Sequence, residues 1–118
     1  MRWLLSSNMQ LVIEEQPTCL KSAGKGIVDL LGKSYVLELL YFLKNHNKPV
    51  RFNEIKHKLS ITATTLSRRL EEFVNAGLVT REVFAEVPAR VEYSLSKKGE
   101  SLGTVLRHLF EWVENNNL

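Results

Sequence analysis

A mainly α-helical domain carrying one β-hairpin is the fold class this sequence predicts, on three observations. From Thr62 to Ala76, the residues Leu66, Leu70, Phe73 and Val74 fall at i, i+4, i+7 and i+8, which at 100° per residue is one face of a helix. After Gly77, two short stretches, Leu78–Phe84 and Arg90–Leu95, alternate apolar and polar residues around a loop containing Pro88, the pattern of two paired strands. A broad apolar stripe then recurs at helical spacing through Leu102, Val105, Leu106, Leu109, Phe110, Trp112 and Val113.

Taken in order, residues 1–23 resist assignment: Trp3, Leu4, Leu5, Leu11, Val12 and Ile13 suit a strand or an irregular arm, and Pro17 interrupts it. So much apolar surface is expected to pack on something, a second subunit included. A domain is expected from residue 24 to residue 118. Ile27, Leu30 and Leu31 predict a short helix closed by Gly32, in the position where positive φ is common. Lys33 or Ser34 opens a second helix whose apolar residues, Val36 through Leu43, cover most of its circumference, so it belongs at the centre. It ends in the turn-forming run Asn45–Pro49. Val50 and Arg51 form a brief strand, Asn53 caps a helix to about Ser60, and Ser60 and Ile61 turn into the helix capped by Thr62. Ser96 caps the last helix.

Two short helices joined by a tight turn make a helix-turn-helix. Its second helix carries Thr64, Thr65 and Arg68 away from the apolar side, with Arg69 on the flank and no acid before Glu71. Short hydroxyls at a slim, positive helix tip suit the DNA major groove, where they and guanidinium groups reach base edges.

Length and charge fit that reading. At 118 residues the chain is one domain's worth, and its 44% hydrophobic and 25% charged residues are ordinary for a globular protein. The net charge of +3 is unevenly spread: residues 44–98 hold eleven basic and six acidic groups, residues 1–43 four of each, and residues 99–118 one and three. A basic middle is expected where part of a domain meets phosphates. One cysteine, Cys19, allows no intrachain disulfide, so a reducing, cytoplasmic setting is expected. The first thirteen residues are too short and too interrupted by polar residues for a signal peptide or membrane span. Cys19, His46, His57 and His108 show no metal-ligand spacing, and there is no phosphate-binding glycine loop or nucleophile elbow. Neither an enzyme, a metal site nor a cofactor is expected.

The run GKSYVLELLYFL, then RFNEI, ITATTLSRRLEEFVNAGLVTRE and VPARVEYSLSKKGESL, with Trp112 near the end, resembles the HxlR-type regulators. These are dimeric winged-helix transcription factors, akin to the MarR and ArsR types. The resemblance spans roughly residues 25–114. It implies a winged helix-turn-helix of three core helices with dimerising terminal helices, 62–76 as recognition helix and 80–95 as wing. Members usually carry Trp after the Gly-Lys pair, where this chain has Ser34, and many carry Cys-Pro before the first helix, where this chain has Cys19-Leu20.

The expected function is therefore a sequence-specific double-stranded DNA-binding regulator, a repressor, acting as a homodimer on an inverted repeat. Thr64, Thr65 and Arg68 lie at the base edges, with the capping Thr62 counted among the DNA-binding residues. Ser67, Arg69 and Arg51 hold phosphates, with Lys56 or Lys58, and Arg90 at the hairpin tip enters the minor groove. Arg81 is a candidate partner of Glu92 across the hairpin. The final stripe, from Leu102 to Val113, is the dimer surface. Two other readings stay open: a winged-helix module that binds protein and not DNA, and a regulator sensing oxidants or electrophiles through Cys19. An effector, small molecule or redox, is compatible with each.

Overall fold

A computed structural model of the chain describes residues 22–116. The expected arm over residues 1–23 lies outside them, with Cys19, except that Ser22 and Ala23 open a helix. The chain divides into two units after Lys33. In the first, helix α1 (Ser22–Leu31) carries an exposed i,i+4 pair, Lys25 to Asp29 at 3.5 Å. It ends in tight turns in which the Gly32 and Lys33 amides donate to the Asp29 and Leu30 carbonyls. Those turns keep Gly32 out of the positive-φ region expected for it; among the described residues that glycine is Gly77, at φ 76°.

The second unit runs α2 (Val36–His46), β1 (Val50–Arg51), α3 (Phe52–Leu59), α4 (Ala63–Asn75), β2 (Val79–Phe84), β3 (Arg90–Leu95) and α5 (Lys97–Asn116). The three strands form one antiparallel sheet in the order β1-β3-β2. The mainly helical fold with a hairpin wing is thus present. Helix α2 is its centre: Val36, Leu39, Leu40 and Leu43 are buried, as are Ile55 of α3, Leu66, Leu70 and Phe73 of α4, Leu78 just before β2, Val79 and Tyr93 of the sheet and Leu106 of α5.

Several boundaries differ from the sequence expectation. Helix α2 starts at Val36, because Tyr35 takes a left-handed conformation, φ 67°, just before it. Asn53 is inside α3, whose cap position is Arg51, since β1 runs directly into the helix. His46 is the last residue of α2, its Nε2 3.3 Å from Glu54, and the turn begins after it.

The junction of hairpin and α5 depends on one glycine. Ser96 caps α5, its Oγ accepting from the Gly99 amide at 3.0 Å while donating to the Gly77 carbonyl at 2.6 Å. A Cβ on Gly99 would sit 2.0 Å from the Leu78 carbonyl oxygen. The first turn of α5 therefore lies directly against backbone, an approach that only glycine permits.

Candidate nucleic-acid interface

Helices α3 and α4 meet at a corner built mostly by backbone. Ser60 adopts φ 51°, and the Ser60 and Ile61 amides donate back to the His57 and Lys56 carbonyls, closing α3. Ile61, 3% exposed, anchors the turn in the core. Thr62 then caps α4 as expected, its Oγ1 accepting from the Thr65 amide at 3.3 Å. The far end is closed as firmly. The Leu78 and Gly77 amides donate to the Phe73 and Val74 carbonyls, a Schellman closure with glycine in the left-handed position. The Lys98 ammonium donates to the Ala76 carbonyl at 3.0 Å, a cation at the negative end of the helix dipole.

Between these ends α4 is two-sided. Leu66, Leu70 and Phe73 are at most 1% exposed, whereas Thr64, Ser67, Arg68 and Glu71 face outward. Thr64, Ser67 and Arg68 are neighbours on one strip, since i,i+3 and i,i+4 residues share a face. Glu71 continues that strip and repels phosphates, so the surface suited to DNA is confined to the first two turns.

Three expected contacts are placed differently. Thr65 is half-buried, and its Oγ1 accepts from the Thr62 hydroxyl at 3.0 Å; it belongs to the cap and not to the free tip. Arg69, expected on phosphate, is 9% exposed. Its Nε donates to the Ser34 carbonyl at 2.9 Å, Nη2 to the Ser34 hydroxyl at 3.2 Å, and Nη1 to Glu72 at 2.7 Å. Because it sits at the edge of the apolar face, its long side chain reaches back toward the start of α2. Arg90 does not project from the wing. Its Nη2 lies 3.0 Å from Glu86 and its Nε 3.3 Å from Glu92, and its guanidinium sits 4.0 Å over the Phe84 ring.

Strand register explains the wing. Residues paired across it share a sheet face, and Glu92 stands opposite Glu82 on β2 and Arg51 on β1, while Arg81 stands opposite Tyr93. Arg81 is therefore on the other face from Glu92, and the ion pair considered for it is replaced by Arg90 with Glu92. Arg51 is exposed at the β1–α3 junction.

The model of HxlR-like helix-turn-helix proteins matches residues 30–117. The chain belongs to the HxlR family of transcriptional regulators. It is similar to an HTH-type transcriptional regulator of Halalkalibacterium halodurans, 39% identical over 92 residues, which are 76% of this chain and 80% of that protein. It is also similar to the HTH-type transcriptional regulator YvaP of Bacillus subtilis, 38% identical over 87 residues, 73% of this chain and 79% of YvaP. Among solved structures, the reduced form of the redox regulator HypR superposes with a TM-score of 0.72 at 34% identity, covering 81% of this chain and 94% of that one.

In this HxlR chain the last helix is divided between core and surface. Leu106, expected on the dimer face, is 6% exposed and completes the core. Leu102 is half-buried, and Phe110 meets Tyr41 edge-on with ring centroids 5.0 Å apart. Val105, Leu109, Trp112 and Val113 remain outward, 61%, 44%, 54% and 37% exposed. These four fall at i, i+4, i+7 and i+8, a single apolar stripe open to solvent. Beside it, α2 and the second half of α5 border a groove lined in part by Leu37, Tyr41, Phe42, Leu109 and Val113. Among the described residues no cluster of His, Cys, Asp and Glu could hold a metal, and no helix is long and apolar enough to cross a membrane.

Proposed function

We propose that this HxlR regulator is a sequence-specific repressor that binds double-stranded DNA as a homodimer. The observation that carries the reading is the outward strip Thr64, Ser67 and Arg68 on a helix capped at Thr62 and buried along its opposite side. Arg68 is the base reader: its fork matches guanine O6 and N7, and Thr64 a turn earlier contacts an adjoining base edge. Thr62 and Thr65 shape the tip, and Ser67 and Arg51 hold phosphates on either side of the groove. The stripe Val105, Leu109, Trp112 and Val113 is covered by a second copy, since an apolar strip of this kind on a helix suits subunit pairing. Two copies present their α4 helices to successive major grooves about 34 Å apart, which makes the operator an inverted repeat.

Selection of bound sequences from a random duplex pool tests this. A symmetric motif is expected, bound less tightly as salt rises. Recovery of no motif, with no salt-sensitive duplex binding, refutes DNA reading and favours a module that binds protein. A second reading, control by oxidation of Cys19, is favoured by the similarity to HypR, which is a redox regulator. Loss of an oxidant response in Cys19→Ser tests it.

A further inference from the structure

Arg69 is the one member of the basic pair on α4 that faces the protein interior, and it makes three directed hydrogen bonds there. Two go to a single residue, Ser34, through the carbonyl at 2.9 Å and the hydroxyl at 3.2 Å, and the third goes to Glu72 at 2.7 Å. Ser34 immediately precedes Tyr35, whose φ of 67° is unusual for a bulky side chain. Such a conformation persists where its surroundings over-determine it. Here the Leu39 amide holds the Tyr35 carbonyl at 2.9 Å on one side, and the Arg69 fork holds Ser34 on the other. The fork thus joins the middle of α4 to the entry of the central helix α2.

The ends of α4 are held at Ile61 and by the Lys98 bond to the Ala76 carbonyl, and between them the remaining hold is its apolar face. Leu66, Leu70 and Phe73 hold it by apolar burial, which is non-directional and tolerates a small roll about the helix axis. A roll of about 20° moves a side-chain tip about 5–6 Å from the axis by about 2 Å. That is enough to break a base-edge hydrogen bond at Arg68 or Thr64, whose useful range spans only a few tenths of an ångström. A planar guanidinium bound at three of its nitrogens resists the roll, because its bonds are directional and charge-assisted.

We propose that Arg69 is a positioning residue, setting the rotation of α4 so that Thr64 and Arg68 meet base edges, and that it touches no nucleic acid itself. This rests on α4 being the DNA-reading helix. The salt dependence of the affinity separates positioning from phosphate binding. Removing a side chain that holds a phosphate lowers the slope of log affinity against log salt by about 0.9 and weakens all duplex sequences alike. Removing a positioning side chain leaves the slope unchanged and weakens the operator alone.

The test compares the full-length protein with Arg69→Met, Arg69→Lys and Ser34→Ala, titrated with the selected operator and with a scrambled duplex over a range of salt. For Arg69→Met, operator affinity is expected to fall at least tenfold, with scrambled-duplex affinity within twofold of the parent and the slope retained. Arg69→Lys is expected to behave similarly, because an ammonium keeps the charge and loses the fork. Ser34→Ala removes one acceptor at an exposed site, so it keeps the fold and loses a few-fold of the operator preference. An equal loss on both duplexes with a shallower slope overturns the proposal, as does an unchanged operator preference in all three variants. A readout without DNA accompanies it: the amide NMR shifts of residues 63–68 are expected to move in Ser34→Ala and Arg69→Lys. Unmoved shifts overturn the positioning role even where the parent protein proves not to bind DNA, an outcome that refutes the DNA-reading function separately.

Discussion

Glu86→Gln is expected to tighten DNA binding, which distinguishes it from most substitutions in a binding element. The wing's candidate DNA-contacting residue, Arg90, is occupied by its own hairpin: Glu86 at 3.0 Å, Glu92 at 3.3 Å and the Phe84 ring at 4.0 Å. To meet a phosphate it must exchange a carboxylate for it. The Glu86 side chain is 48% exposed, so solvent screens the pair, and exposed pairs contribute about 0.2–1 kcal/mol. Removing the carboxylate also removes a negative charge close to the phosphate backbone, within the Debye length of about 10 Å at 0.1 M salt. Together these effects amount to about 0.4–1 kcal/mol, a two- to fivefold gain in affinity. Fluorescence anisotropy with a labelled operator, in parent, Glu86→Gln, Arg90→Ala and the double variant, measures it. The gain is expected in the single variant. Most of it is expected to vanish once Arg90 is removed, because the coupling passes through that guanidinium, leaving only the smaller effect of the lost negative charge. Unchanged or weaker binding in a folded Glu86→Gln protein refutes the reasoning, and so does a gain that survives undiminished in the double variant.

Arg68→Ala is expected to cost about 1–3 kcal/mol in operator binding and to relax preference at one base pair, read by repeating the duplex selection. Gly99→Ala drives a methyl into the Leu78 carbonyl; overpacking of about 1–3 kcal/mol outweighs the gain in helix propensity of up to about 1 kcal/mol. Thermal denaturation at fixed protein concentration should show a clear fall. Gly26→Ala, with nothing within 4 Å of the added Cβ, should show none. Thr62→Ala removes the cap on α4 and is expected to cost about 0.5–2 kcal/mol in urea denaturation.

The fold was legible in the sequence wherever a local signal decided the structure. The spacing of Leu66, Leu70 and Phe73 marked the buried side of α4, although Val74, placed with them, is 36% exposed; Thr62 and Ser96 were readable as caps, and alternation marked the strands of the hairpin. The outward placing of Thr64 and Arg68 followed from the same periodicity, because a helix has fixed angles between residues, whereas Thr65, read with them, is half-buried in the cap. A start for α2 at Val36 was not legible, since no local preference of tyrosine announces the left-handed turn at Tyr35.

What the sequence determined by itself was which residue types lie on which side of each helix and strand. What only the tertiary structure decided was which of the outward or flanking charges are free. Arg68 and Arg69 are adjacent and chemically identical, yet one faces solvent and the other is bound to Ser34, 35 positions away. Arg90 is likewise taken up by Glu86 and Glu92, and Leu106 by the core. The physical reason is that periodicity sets an angle about an axis, whereas the partner of a long side chain depends on which distant backbone the fold brings within its reach.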